Sequence, residues 1–179
     1  MDRAEARALL QSLTSSPALL RHGRTVELVM EAYARQFGED PAVWGTAGLL
    51  HDADYEQYPE QHPNVIVDIL SRRGEKQIAY AISAHYTKWN VPAVSKLDCA
   101  LLACDELTGF IVACAQVRPD GIGSLEAKSV IKKLKDKGFA AKVDREEVYK
   151  GCELAGFDLA GHIAFIIEVL RKNRDELGI

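Results

Sequence analysis

Apolar residues recur at three- and four-residue spacing along nearly the whole chain, and no stretch alternates persistently enough to propose a strand. Val26, Val29, Tyr33 and Phe37 form one such row, and Ile66 with Ile69 and Ile78 with Ile82 continue the pattern. Start signals punctuate it. Ser16-Pro17 and Asp40-Pro41 each set a capping side chain before a proline suited to the first helical turn, and Asp144 with Glu147 has the spacing of a capping box. Gly38, Gly74, Gly138 and Gly156 follow periodic runs, where a left-handed cap favours glycine. Together these signals predict helices over 2–13, 17–37, 41–54, 62–73, 75–87, 95–117, 125–136, 144–155 and 158–173. The fold class is all-α, a compact helical bundle formed by a single domain over 1–179 with a C-terminal helical extension from about 119.

Composition narrows the class without changing this picture. At 179 residues the chain buries a substantial core without needing disulfides or a structural metal, so any metal is free to be functional. The four cysteines, Cys99, Cys104, Cys114 and Cys152, form no C-x-x-C pair, and three fall in one apolar helical run as small core residues. The stretch Met1-Asp2-Arg3-Ala4-Glu5 lacks the apolar core of a signal peptide, and no run reaches the length of a membrane span; the expectation is a cytoplasmic protein with no membrane partner. A net charge of -4 disfavours a nucleic acid polymer as partner but not a small phosphorylated molecule.

The polar residues on apolar rows carry the chemistry. His22 lies four before Val26, His51 four after Ala47, His62 four before Ile66, His85 three after Ile82, and Asp105 four after Leu101, so each points inward. An unpaired buried carboxylate loses several kcal/mol of hydration, and a divalent cation removes that cost. Imidazole and carboxylate donors together suit Mn, Fe, Co, Ni or Zn, with Mg also compatible, and mixed sets with open positions belong to catalytic rather than closed structural sites. Asp52, next to His51, projects about 100° away on an ideal helix. A cation about 2.0–2.2 Å from each ligand atom is still reached by the short Asp52 on one side and the longer His51 on the other.

The order His22, then His51-Asp52 within Gly48-Leu49-Leu50-His51-Asp52-Ala53-Asp54-Tyr55-Glu56, then Asp105 within Ala103-Cys104-Asp105-Glu106-Leu107-Thr108-Gly109, resembles the HD superfamily of metal-dependent phosphohydrolases, most of all its small single-domain bacterial members. The segment Lys128–Ala141 is also similar to these members, so the likeness covers nearly the whole chain. The resemblance implies one metal at His22, His51, Asp52 and Asp105, and His62 and His85 match a two-metal extension; in a one-metal site these two would instead be supporting or substrate-facing residues. It implies hydrolysis of a small phosphate ester, a nucleotide or related metabolite, by a metal-activated hydroxide, with His51 and Asp52 at the reacting centre and Asp52 as bridging carboxylate. Two alternatives stand beside it: a di-iron oxygenase of the same superfamily, and a non-catalytic, metal-stabilised nucleotide-binding module. Ala53-Asp54 after the pair departs from the commonest Ile-Gly, and the absence of a Gly-Tyr-Pro motif disfavours cyclic di-GMP hydrolysis.

The remaining polar residues have quieter readings. Lys88 and Arg118 are candidates to hold a substrate phosphate, although cations at helix ends also complement the dipole. His162 is expected to be a satisfied structural histidine, and Lys128, Lys132 and Lys135 a solvated face. Asp54, Tyr55, Glu56 and Glu106 flank the ligands, and one carboxylate among them is expected to hydrogen-bond a ligand imidazole.

Overall fold

The computed structural model describes residues 1–179 and contains helices only. They are α1 (Arg3–Leu13), α2 (Pro17–Phe37), α3 (Pro41–Leu50), α4 (Asn64–Arg72), α5 (Lys76–His85), a 3₁₀ turn at Thr87–Trp89, α6 (Lys96–Gln116), α7 (Ala127–Leu134), α8 (Arg145–Ala155), α9 (Leu159–Lys172) and α10 (Arg174–Leu177). The chain divides into two compact units, Met1–Leu102 and Ala103–Ile179, with the division inside α6. No helix is long and apolar enough to cross a membrane.

In the first unit α3 packs along α2 and also meets α1 and α5, while α4 pairs with α5. Val29, Met30, Leu50, Ile66, Leu70 and Ile82 are fully enclosed there, each such burial stabilising the fold by about 1.5–3 kcal/mol. Two glycines set the separation of α2 and α3. A Cβ on Gly23 would stand 2.8 Å from Leu49 O, and one on Gly48 would stand 2.9 Å from the Val26 carbonyl. Only hydrogen fits at either place, so the backbones approach closely. In the second unit α9 packs on α7, α8 and α10, with Ile163, Ile166 and Leu170 buried along its inner face.

Several expected boundaries move, each for a local reason. The helix expected over 41–54 ends at Leu50, because the chain tightens into turns in which Ala53 N–H donates to Leu50 O (3.0 Å) and Tyr55 N–H to Asp52 O (3.0 Å). The Thr14 hydroxyl fixes this departure by donating to Ala53 O at 2.7 Å. Ser16 occupies the position before Pro17, but its side chain makes no capping bond. The Glu56 carboxylate instead pins the residues just before the helix, accepting from Ser15 N–H (2.7 Å) and Ser16 N–H (2.9 Å).

The helix expected to run to 136 stops at Leu134, and Gly138 is not its left-handed cap. Arg145 accounts for this. Its guanidinium donates to the carbonyls of Ala140 (2.7 Å), Val143 (2.7 Å) and Phe139, holding the segment as a loop, while it stacks over Phe110. The reciprocal box expected at Asp144 and Glu147 is half made. Asp144 accepts from the N–H groups of Glu146 and Glu147, whereas its own N–H donates to Glu106. A full capping box forms at α1, between Asp2 and Glu5. Gly38 and Gly156 do terminate α2 and α8 in the left-handed region.

Candidate metal centre

Four histidines and one aspartate of the first unit meet at the C-terminal end of α3. α2 delivers His22, and Glu56 ties the start of that helix to the segment just past the His51-Asp52 pair. These N–H donors, Ser16 first and then Ser15, hold the Glu56 carboxyl below its ordinary range. α3 delivers His51 as its C-capping residue, just past Leu50 and still in the right-handed helical region at φ -54°, ψ -38°. α5 ends on His85, and His62 lies in the turns before α4. The close approach of α2 and α3 brings His22 Nε2 to 3.1 Å from His51 Nε2.

The rings are oriented from behind. Nδ1 of His51 lies 2.8 Å from Gly48 O, and Nδ1 of His85 lies 2.5 Å from Ile82 O. A carbonyl only accepts, so the hydrogen-bond network assigns the proton to Nδ1 and leaves Nε2 of each neutral ring as a lone pair. Asp54, fully buried, does the same for His62: Oδ1 is 2.6 Å from Nδ1, while Oδ2 accepts from Ile66 N–H at 3.0 Å. This carboxylate meets the expectation that one flanking acid hydrogen-bonds an imidazole of the cluster.

All the Nε2 atoms converge on Asp52. Its Oδ2 is 3.8 Å from His22 Nε2 and 3.5 Å from His51 Nε2; its Oδ1 is 3.4 Å from His62 Nε2 and 3.8 Å from His85 Nε2. One carboxylate oxygen therefore faces each pair of imidazoles. Ligand atoms about 2.1 Å from a cation stand roughly 3.0 Å apart in cis-octahedral and 3.4 Å apart in tetrahedral geometry, by trigonometry from typical bond lengths. The observed 3.1–3.8 Å is that spacing slightly opened. Converging lone pairs and a carboxylate repel one another unless a cation lies among them. The donor set thus fits a divalent ion at His22, His51 and Asp52 and another at Asp52, His62 and His85.

The other sequence candidates fall as follows. Asp105 lies half-buried on α6, in the second unit. Burial, with the Asp105 charge beside it, pushes the neighbouring Glu106 carboxyl up to about 8. Lys88 is exposed in the 3₁₀ turn with its ammonium 5.4 Å over the Tyr86 ring. Arg118 belongs to the second unit, where it donates to Ser124 Oγ at 2.6 Å and faces Asp120 at 3.5 Å. His162 is structural as expected, buried with Nε2 3.0 Å from Ala103 O. Lys128, Lys132 and Lys135 are exposed. Tyr55, expected to flank the ligands, lies 5.4 Å from His62 between ring centroids, and sequence reasoning missed the rings beside it: Tyr86 at 5.2 Å from His62, with Trp89 beyond Tyr86 at 6.1 Å. The signal for these two was the placement of Tyr86 and Trp89 close after His85.

The HD domain family model matches residues 19–109, 91 of 179 residues, which includes every residue of the cluster and Asp105. The chain belongs to the HD domain family, whose general kind of activity is metal-dependent phosphohydrolysis. No curated protein and no solved structure matches it.

Proposed function

We propose that this protein hydrolyses a small phosphate ester of the nucleotide kind, using two divalent cations held on either side of Asp52. The observation that carries this reading is the division of the Asp52 carboxylate, one oxygen toward His22 and His51 and the other toward His62 and His85. When bound, the cations polarise phosphoryl oxygens and make water a nucleophile near neutral pH. The chain supplies position. His51 and His85 present fixed Nε2 lone pairs, Asp54 holds His62 in the same tautomer, and Asp105 is proposed as the fourth ligand of the first set, on its place in the family pattern. Lys88 is proposed to neutralise a substrate phosphate oxygen. Tyr55, about half exposed beside His62, and Trp89 beyond Tyr86 offer ring surface suited to a planar base rather than a bare sugar.

The test is turnover of a panel of nucleotides and sugar phosphates by protein reconstituted with Mn, Fe, Co, Ni or Zn, with His51→Ala and Asp52→Ala as controls. Nucleotides are expected to turn over faster than sugar phosphates, and both variants to be inactive. Turnover that survives in the variants, or no turnover with any metal and ester, overturns the reading.

A further inference from the structure

The second unit holds a cavity of about 350 Å³, a volume within the range of small-molecule sites. Its floor is apolar, with Cys114 and Leu125 almost wholly buried. Its wall is cationic. Arg118, Lys132 and Lys133 line it against the single carboxylate of Asp136, three positive charges to one negative, on a chain whose net charge is -4. The field is felt inside: the Cys114 thiol, pushed up to about 11 by burial, is drawn partly back by Lys133, Arg118 and Arg145. Arg118 Nε is buried and donates no hydrogen bond, although Asp120 Oδ1 lies 3.5 Å away. An acceptor oxygen entering from the cavity side is the natural partner of such a guanidinium.

We propose that this cavity binds a small organic anion, its phosphate, sulfonate or carboxylate group held by Arg118, Lys132 and Lys133 and its apolar body resting on Leu125 and Cys114. Neither half of the lining suffices by itself. A bare anion leaves the floor in contact with water, and a neutral hydrocarbon leaves three lining cations facing the one lining carboxylate of Asp136. The proposal is independent of hydrolysis, because none of these residues belongs to the histidine cluster.

The experiment titrates the full-length, metal-loaded protein with 8-anilinonaphthalene-1-sulfonate, which joins one anionic group to an apolar body, and follows its fluorescence. Saturable binding of one probe per chain is expected. Lys132→Glu and Lys133→Glu, checked by circular dichroism for native helix content, should each weaken it about tenfold or more. Lys128→Glu is the control, since this exposed lysine of α7 pairs with Glu126 outside the cavity. Inorganic phosphate should displace the probe at least about tenfold less effectively than an unlabelled naphthalenesulfonate. Non-saturable binding, or equal weakening by the control, overturns the assignment of the site. Equal competition by phosphate overturns the amphipathic ligand.

Discussion

Replacing Asp54 with asparagine separates the two jobs of one buried carboxylate. Oδ1 accepts from His62 Nδ1 at 2.6 Å and Oδ2 from Ile66 N–H at 3.0 Å. An amide offers one acceptor oxygen and sets an NH₂ group against the second donor. Leaving that buried donor unsatisfied costs about 1–3 kcal/mol of stability in the metal-free protein. The same change removes the negative charge behind His62, and loss of such a supporting group lowers metal affinity about 10- to 100-fold, or roughly 1.4–2.7 kcal/mol. The loss should be confined to one position, because His51 is oriented by the carbonyl of Gly48 and not by Asp54. Calorimetric titration with Mn or Zn, beside urea unfolding of the apo protein, checks both quantities. The expected result for Asp54→Asn is one ion bound as in the parent and one bound at least tenfold more weakly. Two unchanged affinities, or equal weakening of both, would show that Asp54 does not position His62 for a cation.

Three further outcomes follow from particular contacts. Gly48→Ala places a methyl 2.9 Å from the Val26 backbone, so it should cost about 1–3 kcal/mol and weaken metal binding by moving His51 from His22; thermal unfolding and metal titration report the two effects. Removing bound metal with a chelator should lower the thermal midpoint, since a ligand at a hundred times its Kd stabilises by about 2.7 kcal/mol; a midpoint unchanged by metal and chelator contradicts the site. His162 is buried neutral, burial lowering it from 6.5 to about 4 against the opposing effect of the Ala103 carbonyl. A lowered base is protonated first in the unfolded chain, so its contribution is complete above pH 6.5, declines as pH falls toward about 4 and is flat below. The decline totals about 3 kcal/mol. Urea unfolding at pH 7, 5.5 and 4 should show it, and His162→Gln, which keeps a donor to the carbonyl, should flatten it.

Helix positions were legible because an inward stripe repeats with the helical period over three or more turns, as in α2 and α9. Helix ends were less so, because they are decided by long-range partners. Periodicity continues through buried Ala53 and Asp54, yet Thr14, 39 residues away, takes the Ala53 carbonyl and the helix stops. α7 ends early for a similar reason, with Arg145 claiming the carbonyls that follow. The four-residue α10 is too short to carry a period. At the site, the inward aim of His51, His62 and His85 was readable from their rows, and all three are buried. Which flanking carboxylate supports an imidazole was not, since the turn decides what each one meets: Asp54 meets His62, and Glu56 meets the residues before α2.

The end of α3 resolves the geometric difficulty of adjacent candidate ligands. On an uninterrupted helix, neighbours diverge by about 100° and their side chains do not face each other. Here α3 ends at Leu50, His51 caps it and Asp52 lies in the turn that follows, so the short carboxylate folds back to 3.5 Å from the longer imidazole and remains about a quarter exposed. A carboxylate placed this way presents a separate oxygen to each histidine pair. Asp52→Asn keeps the size and the turn but leaves only one acceptor oxygen. It should therefore reduce binding from two ions to at most one per chain, with turnover falling more than about a hundredfold, the loss of roughly 2.7 kcal/mol of transition-state stabilisation. Elemental analysis of the purified variant, with circular dichroism to confirm its helices, decides the point. An asparagine variant that still holds two ions at the parent's affinity would mean that Asp52 does not bridge them.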